Sequence, residues 1–280
     1  MANEKAAELL AELAARVADL QTSEGWARWL EFQDRFHRYS FGNALLIARQ
    51  RPDATQVAGF HKWLELGRHV RKGEHGIRIL APCVVKVDSD DPDGSEAERR
   101  VVGFRVATVF DVTQTDGEDL PEHPCHRLTG EAPERMRDAL ADLARSEGFT
   151  VQFGAELIAG RNGETSPTHR SIKIAGGLAP AQVVKTLAHE IGHALMHSAK
   201  ILSEIDRPTA EVEAESVAYL VCKRIGLETE GYSFGYVTSW AHGTGRDAVA
   251  AIQASGQRIV KAAQRITDGI EEREPIAAAA

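Results

Sequence analysis

Cysteine is scarce in this 280-residue chain, and its three copies lie far apart, at Cys83, Cys125 and Cys222. An odd, dispersed set excludes a disulfide framework and a Cys-type zinc site, and predicts reduced thiols in a cytoplasmic protein. Long apolar runs are also lacking. None approaches the roughly 18 residues of a membrane span, so no membrane partner is expected. The first residues, Met1-Ala2-Asn3-Glu4-Lys5, hold no basic region followed by an apolar core, so no secretory signal is expected. There is no internal repeat. The apolar fraction of 43% and charged fraction of 26% fit a soluble globular chain of one large or two modest domains.

Positive charge is short overall, with a net charge of -8, but it is unevenly spread. From Arg35 to Lys86 there are ten Lys/Arg against three acids, which leaves the remainder of the chain strongly acidic. A basic module joined to an acidic remainder points to a polyanion partner for the basic part.

Apolar spacing predicts a helix over residues 3–20 and a second over 23–36 capped by Thr22 or Ser23. The stripe Trp26, Trp29, Leu30 and Phe36 is assigned to core packing. Ser40 starts a third helix, Phe41 to Gln50, ended by Pro52. Val57 to Leu66 reads as a short helix, and 68–76 as a basic loop punctuated by glycine. The β-branched runs 77–87 and 100–110, joined by the acidic turn 88–98, predict a hairpin. Residues 111–124 read as a linker. A helix over 131–147 and strands over 149–153 and 171–175 follow, with a turn at Asn162-Gly163. Helices are then expected from Pro180, over 209–225, over 232–242 and over 247–270.

The chemistry concentrates in His189-Glu190-Ile191-Gly192-His193. On a helix, residues four apart share a face, so both histidines can point at one metal ion. Glu190, in the same turn, suits a general base acting on water. Two histidines do not fill a catalytic zinc site, so a third ligand is required. His197 lies about 12 Å along the helix from His189, too far to bind the same ion. The acidic run at Glu211, Glu213 and Glu215 is the better source. Glu211 and Glu215 share a face and Glu213 points away, but any of the three remains open as ligand on spacing alone. Tyr219 and Tyr236 are possible oxyanion donors, and strand 171–175 is the expected site for an extended peptide.

Two stretches resemble known families. Residues 39–82 carry Ser40-Phe41-x-Asn43, Gln50-x-Pro52-x-Ala54-Thr55, Gly59-Phe60-x-x-Trp63 and Gly67-Arg68-x-Val70-x-Lys72-Gly73-Glu74-x-Gly76. With Phe110 to Thr115, these resemble the N-terminal domain of the ArdC antirestriction proteins. The resemblance implies single-stranded DNA binding and a role in DNA protection of a plasmid or phage. Cationic and aromatic side chains suited to such binding are Arg38, Tyr39, Arg49, Arg51, Lys62, Arg68, Arg71 and Lys72. Arg71 and Lys72 are the preferred pair, as a solvated loop has no packing duty. Residues 130–242 resemble the ImmA/IrrE-like zinc metallopeptidases, whose pattern implies Zn2+, places the third ligand at Glu211 and puts a supporting acid at Glu215.

The expected fold class is α+β. N-terminal helices with a β-hairpin (1–125) would precede a mainly helical zincin-like domain with a small sheet (126–272) and a disordered tail (273–280). The expected function is single-stranded DNA binding with a zinc metallopeptidase domain. The alternative is an active endopeptidase that cleaves a repressor or host regulatory protein.

Overall fold

A computed structural model describes residues 2–87, 98–118, 120, 132–158, 160–227 and 248–273. The expected turn at 88–98, helix at 232–242, tail, Cys125 and Tyr236 lie wholly or almost wholly outside the described residues. The fold is α+β. Met1–Arg16 and Gly42–Pro121 form one compact unit, and Val17–Phe41 and Glu122–Ala280 form a second. Residues 17–41, expected with the N-terminal domain, therefore group with the C-terminal part.

The first unit holds most of α1 (Ala2–Ala18), α3 (Phe41–Gln50), β1 (Val57–Gly59), α4 (Phe60–Glu65), β2 (Arg68–Val70), β3 (Ile77–Val87), β4 (Glu98–Asp111) and β5 (Thr115–Gly117). The predicted hairpin is present: β3 and β4 pair antiparallel, with β1 on the other edge of β4. The helix expected over 57–66 begins later than predicted. Val57 to Gly59 instead pair with Asp111 to Val109 as a strand, and only the remainder is helical. Likewise the expected basic loop opens as β2, which pairs with β5.

Helix α3 docks on β3 through two amides. Asn43 bridges the backbone N–H and C=O of Leu80 at 2.9 Å each, and Gln50 does the same for Arg78 at 2.9 and 2.8 Å. Buried Asp111 accepts from the backbone N–H of Thr55 at 2.8 Å and of Gln56 at 3.2 Å. The bonds to Leu80, Thr55 and Gln56 are part-buried and satisfy backbone groups that would otherwise lack a partner, whereas those to Arg78 are exposed.

The second unit holds α2 (Ser23–Arg35), α5 (Ala132–Ser146), β6 (Thr150–Ala155), β7 (Gly163–Ser166), β8 (Ser171–Ala175), α6 (Pro180–Met196), α7 (Ala199–Leu202), α8 (Arg207–Arg224) and α9 (Ala248–Arg273). Thr22 caps α2 as expected, its hydroxyl accepting from the Gly25 N–H at 3.0 Å. The apolar stripe of α2 is core: Trp26, Trp29, Leu30 and Phe36 are buried. Trp26 Nε1 donates to Ser216 Oγ on α8 at 2.9 Å, which explains why this segment belongs with the second unit. Strand β8 is central, with β6 parallel on one side and β7 antiparallel on the other. Its alternate residues Ile172 and Ile174 are buried, as the period of a half-covered strand requires.

Trp26→Ala is expected to destabilise the second unit by about 3–5 kcal/mol, from the lost packing and the lost hydrogen bond to Ser216. Urea unfolding followed by circular dichroism measures the change.

Candidate metal centre

Helices α6 and α8 meet where both carry small residues. A Cβ placed on Gly192 would lie 3.4 Å from the Val217 Cβ and 3.5 Å from the Ala214 Cα, so α8 packs directly on this position. This crossing brings His189 and His193 opposite Glu211 and Glu215. The Nε2 atoms of His189 and His193 are 3.1 Å apart, and Glu211 Oε2 lies 3.5 and 3.6 Å from them. The three ligand atoms all fall within 4.8 Å of one another. Two imidazole nitrogens and one carboxylate oxygen, open to a cavity, suit a divalent cation with a free coordination position.

The far side of each imidazole is also held. His189 Nδ1 lies 3.1 Å from Glu215 Oε2, and Lys185 Nζ approaches the other Glu215 oxygen at 3.3 Å. His193 Nδ1 lies 2.8 Å from His197 Nδ1, and His197 Nε2 lies 3.0 Å from Glu213 Oε2. His197 caps the end of α6 and stays off the three-atom cluster, as its distance along the helix requires. Glu213 is fully buried and faces His197, not the cluster. The open alternative of Glu213 as ligand is therefore not the arrangement in this structure.

The electrostatics match a cation site. Burial opposes charge on His189, but hydrogen bonds to Glu211 and Glu215 outweigh it and push its pKa up to about 9. The same imidazoles hold Glu211 far below the usual carboxylate range. Glu215 is also held low: burial opposes its charge, and the contacts to His189 and Lys185 prevail. Burial pushes His197 down, towards the neutral form. The carboxylates thus draw positive charge to this point, which a bound cation would supply.

The cluster lines a cavity of about 720 Å3, shared with Asn162, Thr165, Lys185, Glu190 and Arg207 among others. Thr165 Oγ1 lies 2.6 Å from Glu190 Oε2 and 3.0 Å from the Glu190 carbonyl oxygen. A Cβ on Gly163 would fall 2.5 Å from Glu190 Oε1 and 2.8 Å from Thr186 Cγ2, so β7 passes this close only with glycine there. Strand β7, which the sequence did not suggest, is the sheet edge that lines the cavity. Strand 171–175, expected to take an extended peptide, has both edges occupied within the sheet. Tyr219 is buried and does not line the cavity.

The basic residues proposed for DNA do not form one set. Arg38 pairs with Asp268 at 3.1 Å and Glu271 at 3.5 Å, and with Tyr39 it belongs to the second unit. In the first unit Arg49 pairs with Glu12, Arg51 with Asp53 and Lys62 with Glu65. Arg68 bonds Thr115 at 2.8 Å and the backbone carbonyls of Gly117 and Glu118. Arg71 is tied to Glu74, Asp116 and the Thr113 carbonyl, so it carries the packing duty that a solvated loop was expected to lack. Lys72 is exposed and has no ion pair among the described residues. Trp63 is core, while Phe60 is 46% exposed.

Fold and site together define a protein with an α+β first unit and a second unit built around a His-His-Glu cluster. Residues 1–110 match the family model for the N-terminal domain of anti-restriction factor ArdC. The metal-free crystal structure of the antirestriction ArdC protein from plasmid R388 superposes with a TM-score of 0.53 at 23% identity. It covers 82% of this chain and 85% of that one. The Mn(II)-bound structure of the same protein gives a TM-score of 0.49 at 21% identity, over 86% and 97% of the two chains. An uncharacterised Bacillus anthracis protein is 28% identical over 249 residues, which cover 75% of this chain. The chain spans 42% of that relative's length. Residues 1–110 thus resemble the ArdC N-terminal domain, and the chain shares its fold with the R388 protein.

If the three-atom cluster takes a cation, the protein binds about one equivalent of a divalent metal. His189→Ala and Glu211→Ala lose it, whereas Glu164→Ala, on the cavity wall outside the cluster, retains it. Metal analysis after gel filtration reads the difference.

Proposed function

We propose that this is an ArdC-type antirestriction protein of a plasmid or phage. In this reading it acts in the cytoplasm, binds single-stranded DNA with its first unit and hydrolyses a peptide bond in its second. The observation that carries the enzymatic part is the convergence of His189, His193 and Glu211 beside Glu190 on one cavity wall. The spacing and the supporting acid Glu215 match the zinc metallopeptidase pattern of the ImmA/IrrE-like proteins. Zinc held by the three ligands would polarise a substrate carbonyl and acidify water.

The remaining work falls to the chain itself. Glu190 accepts a proton from the attacking water and returns it to the leaving amine. Thr165 holds that carboxylate against the cavity wall, 2.6 Å from its oxygen. The edge of β7 offers backbone groups to an extended peptide.

For DNA, the unpaired cations of the first unit are better placed than the tied ones. Lys72, Arg78, Arg100 and Arg105 are exposed and make no ion pair among the described residues. Exposed rings accompany them: Phe104 on β4, at 47%, and Phe60 at the start of α4. Cations beside exposed rings supply the charge and stacking that single strands need.

Two measurements test this reading. Glu190→Gln is expected to keep bound metal and lose about a hundred-fold or more of peptide hydrolysis. Hydrolysis unchanged in that variant would remove Glu190 from the chemistry, and DNA protection unchanged would separate protection from proteolysis. For the DNA surface, Arg100→Ala with Arg105→Ala should weaken oligo-dT binding and lower its salt dependence, while Phe104→Ala costs about 1–3 kcal/mol. Fluorescence anisotropy at several salt concentrations reads both.

A further inference from the structure

A fully buried carboxylate needs partners, and those of Glu213 form a continuous line to the metal cluster. Glu213 accepts from Ser255 Oγ at 2.5 Å and from Arg258 Nε at 3.1 Å, with a further close contact to the Arg258 guanidinium. Both partners lie on α9, whose sequence carries no metal motif. Glu213 Oε2 also faces His197 Nε2 at 3.0 Å, and His197 Nδ1 faces His193 Nδ1 at 2.8 Å. His197 is 1% exposed and Glu213 is 0% exposed, so water does not compete for these bonds.

The direction of each bond follows from what each group can donate. Arg258 only donates, so Glu213 receives from it as an ionised acceptor. Glu213 then accepts the Nε2–H of His197. A neutral His197 with its proton on Nε2 has only a lone pair at Nδ1, so His193 must donate its Nδ1–H. That leaves the His193 Nε2 lone pair facing His189 and Glu211.

We infer that Arg258, Ser255, Glu213 and His197 form a positioning relay that fixes His193 in its Nδ1–H tautomer and thereby sets metal affinity. The inference rests on the reading of His189, His193 and Glu211 as metal ligands. Outer partners of ligand histidines elsewhere are worth about ten- to a hundred-fold in metal affinity. Here the outermost member lies 65 residues beyond His193 on a separate helix, so the C-terminal helix has a direct hold on the site.

The test is chelator competition with Zn2+ and the visible absorption of bound Co2+, applied to wild type, His189→Ala, His197→Leu, Arg258→Ala and Arg258→Lys. His197→Leu and Arg258→Ala are expected to weaken binding about ten- to a hundred-fold and to alter the Co2+ spectrum. Arg258→Lys, which keeps a donor and the charge, is expected to restore much of the affinity. Wild type that binds neither metal overturns the ligand reading and the relay with it. If His189→Ala loses the metal while wild type, His197→Leu and Arg258→Ala bind equally with one spectrum, the relay alone is overturned. A loss in Arg258→Ala that Arg258→Lys leaves unrepaired, with equal unfolding midpoints for both, also overturns it. If His197→Leu does not fold, the Arg258 pair decides the question.

Discussion

The close crossing of α6 and α8 is the constraint on which the His-His-Glu cluster depends. Gly192 on α6 lies directly against Val217 and Ala214 of α8, with no side chain of its own between the two helices. Only at that separation can imidazoles from α6 reach carboxylates from α8 over one point. The crossing is secured by burial: Leu187, Ala188 and Ile191 on α6 and Ala214, Val217 and Ala218 on α8 are all buried. At about 25 cal/mol per Å2 of apolar surface, such packing offsets the cost of gathering three carboxylates and three imidazoles. The charges are then arranged so that each buried one has an opposite or donating neighbour.

The first unit has a different logic. Many of the residues that make its motifs recognisable serve its backbone. Asn43 and Gln50 bind β3, Asp111 binds the turn after Pro52, and Gln114 joins Glu74 to the His75 carbonyl. Arg68 and Arg71 belong to the same network. A family pattern rich in polar residues here reflects hydrogen bonds that close a small sheet with few strands. Among the described residues, exposed cations without an ion pair lie at Lys72, at Arg78 on β3, and at Arg100 and Arg105 on β4.

Much of the second unit was legible in sequence because amphipathic helices announce themselves by period. Helices α5, α6 and α9 lie within a few residues of their expected bounds, as does α8, although it is buried on most sides and has little amphipathic period. Strand β7 was not legible. Gly163-Glu164-Thr165-Ser166 has no alternating apolar pattern, and it is a strand only because β8 offers it an edge. Val57-Ala58-Gly59 was misread for the converse reason, as its apolar spacing fits a helix until β4 supplies a partner. The basic loop looked solvated because Asp116 and Thr113, which hold Arg71, lie more than forty residues away in the chain.

Sequence alone determined the chemistry available at the centre. Two histidines four apart must share a helix face, and their neighbour Glu190 must lie beside them. It also bounded the third ligand to an acidic run and ruled His197 out by helical rise. The choice among Glu211, Glu213 and Glu215 depended on the rotation of α8 about its own axis, which neighbouring helices set. That rotation turns Glu211 towards His189 and His193, Glu215 to the back of His189, and Glu213 inward to His197 and Arg258. A helix states which residues share a face; only packing states which way that face looks.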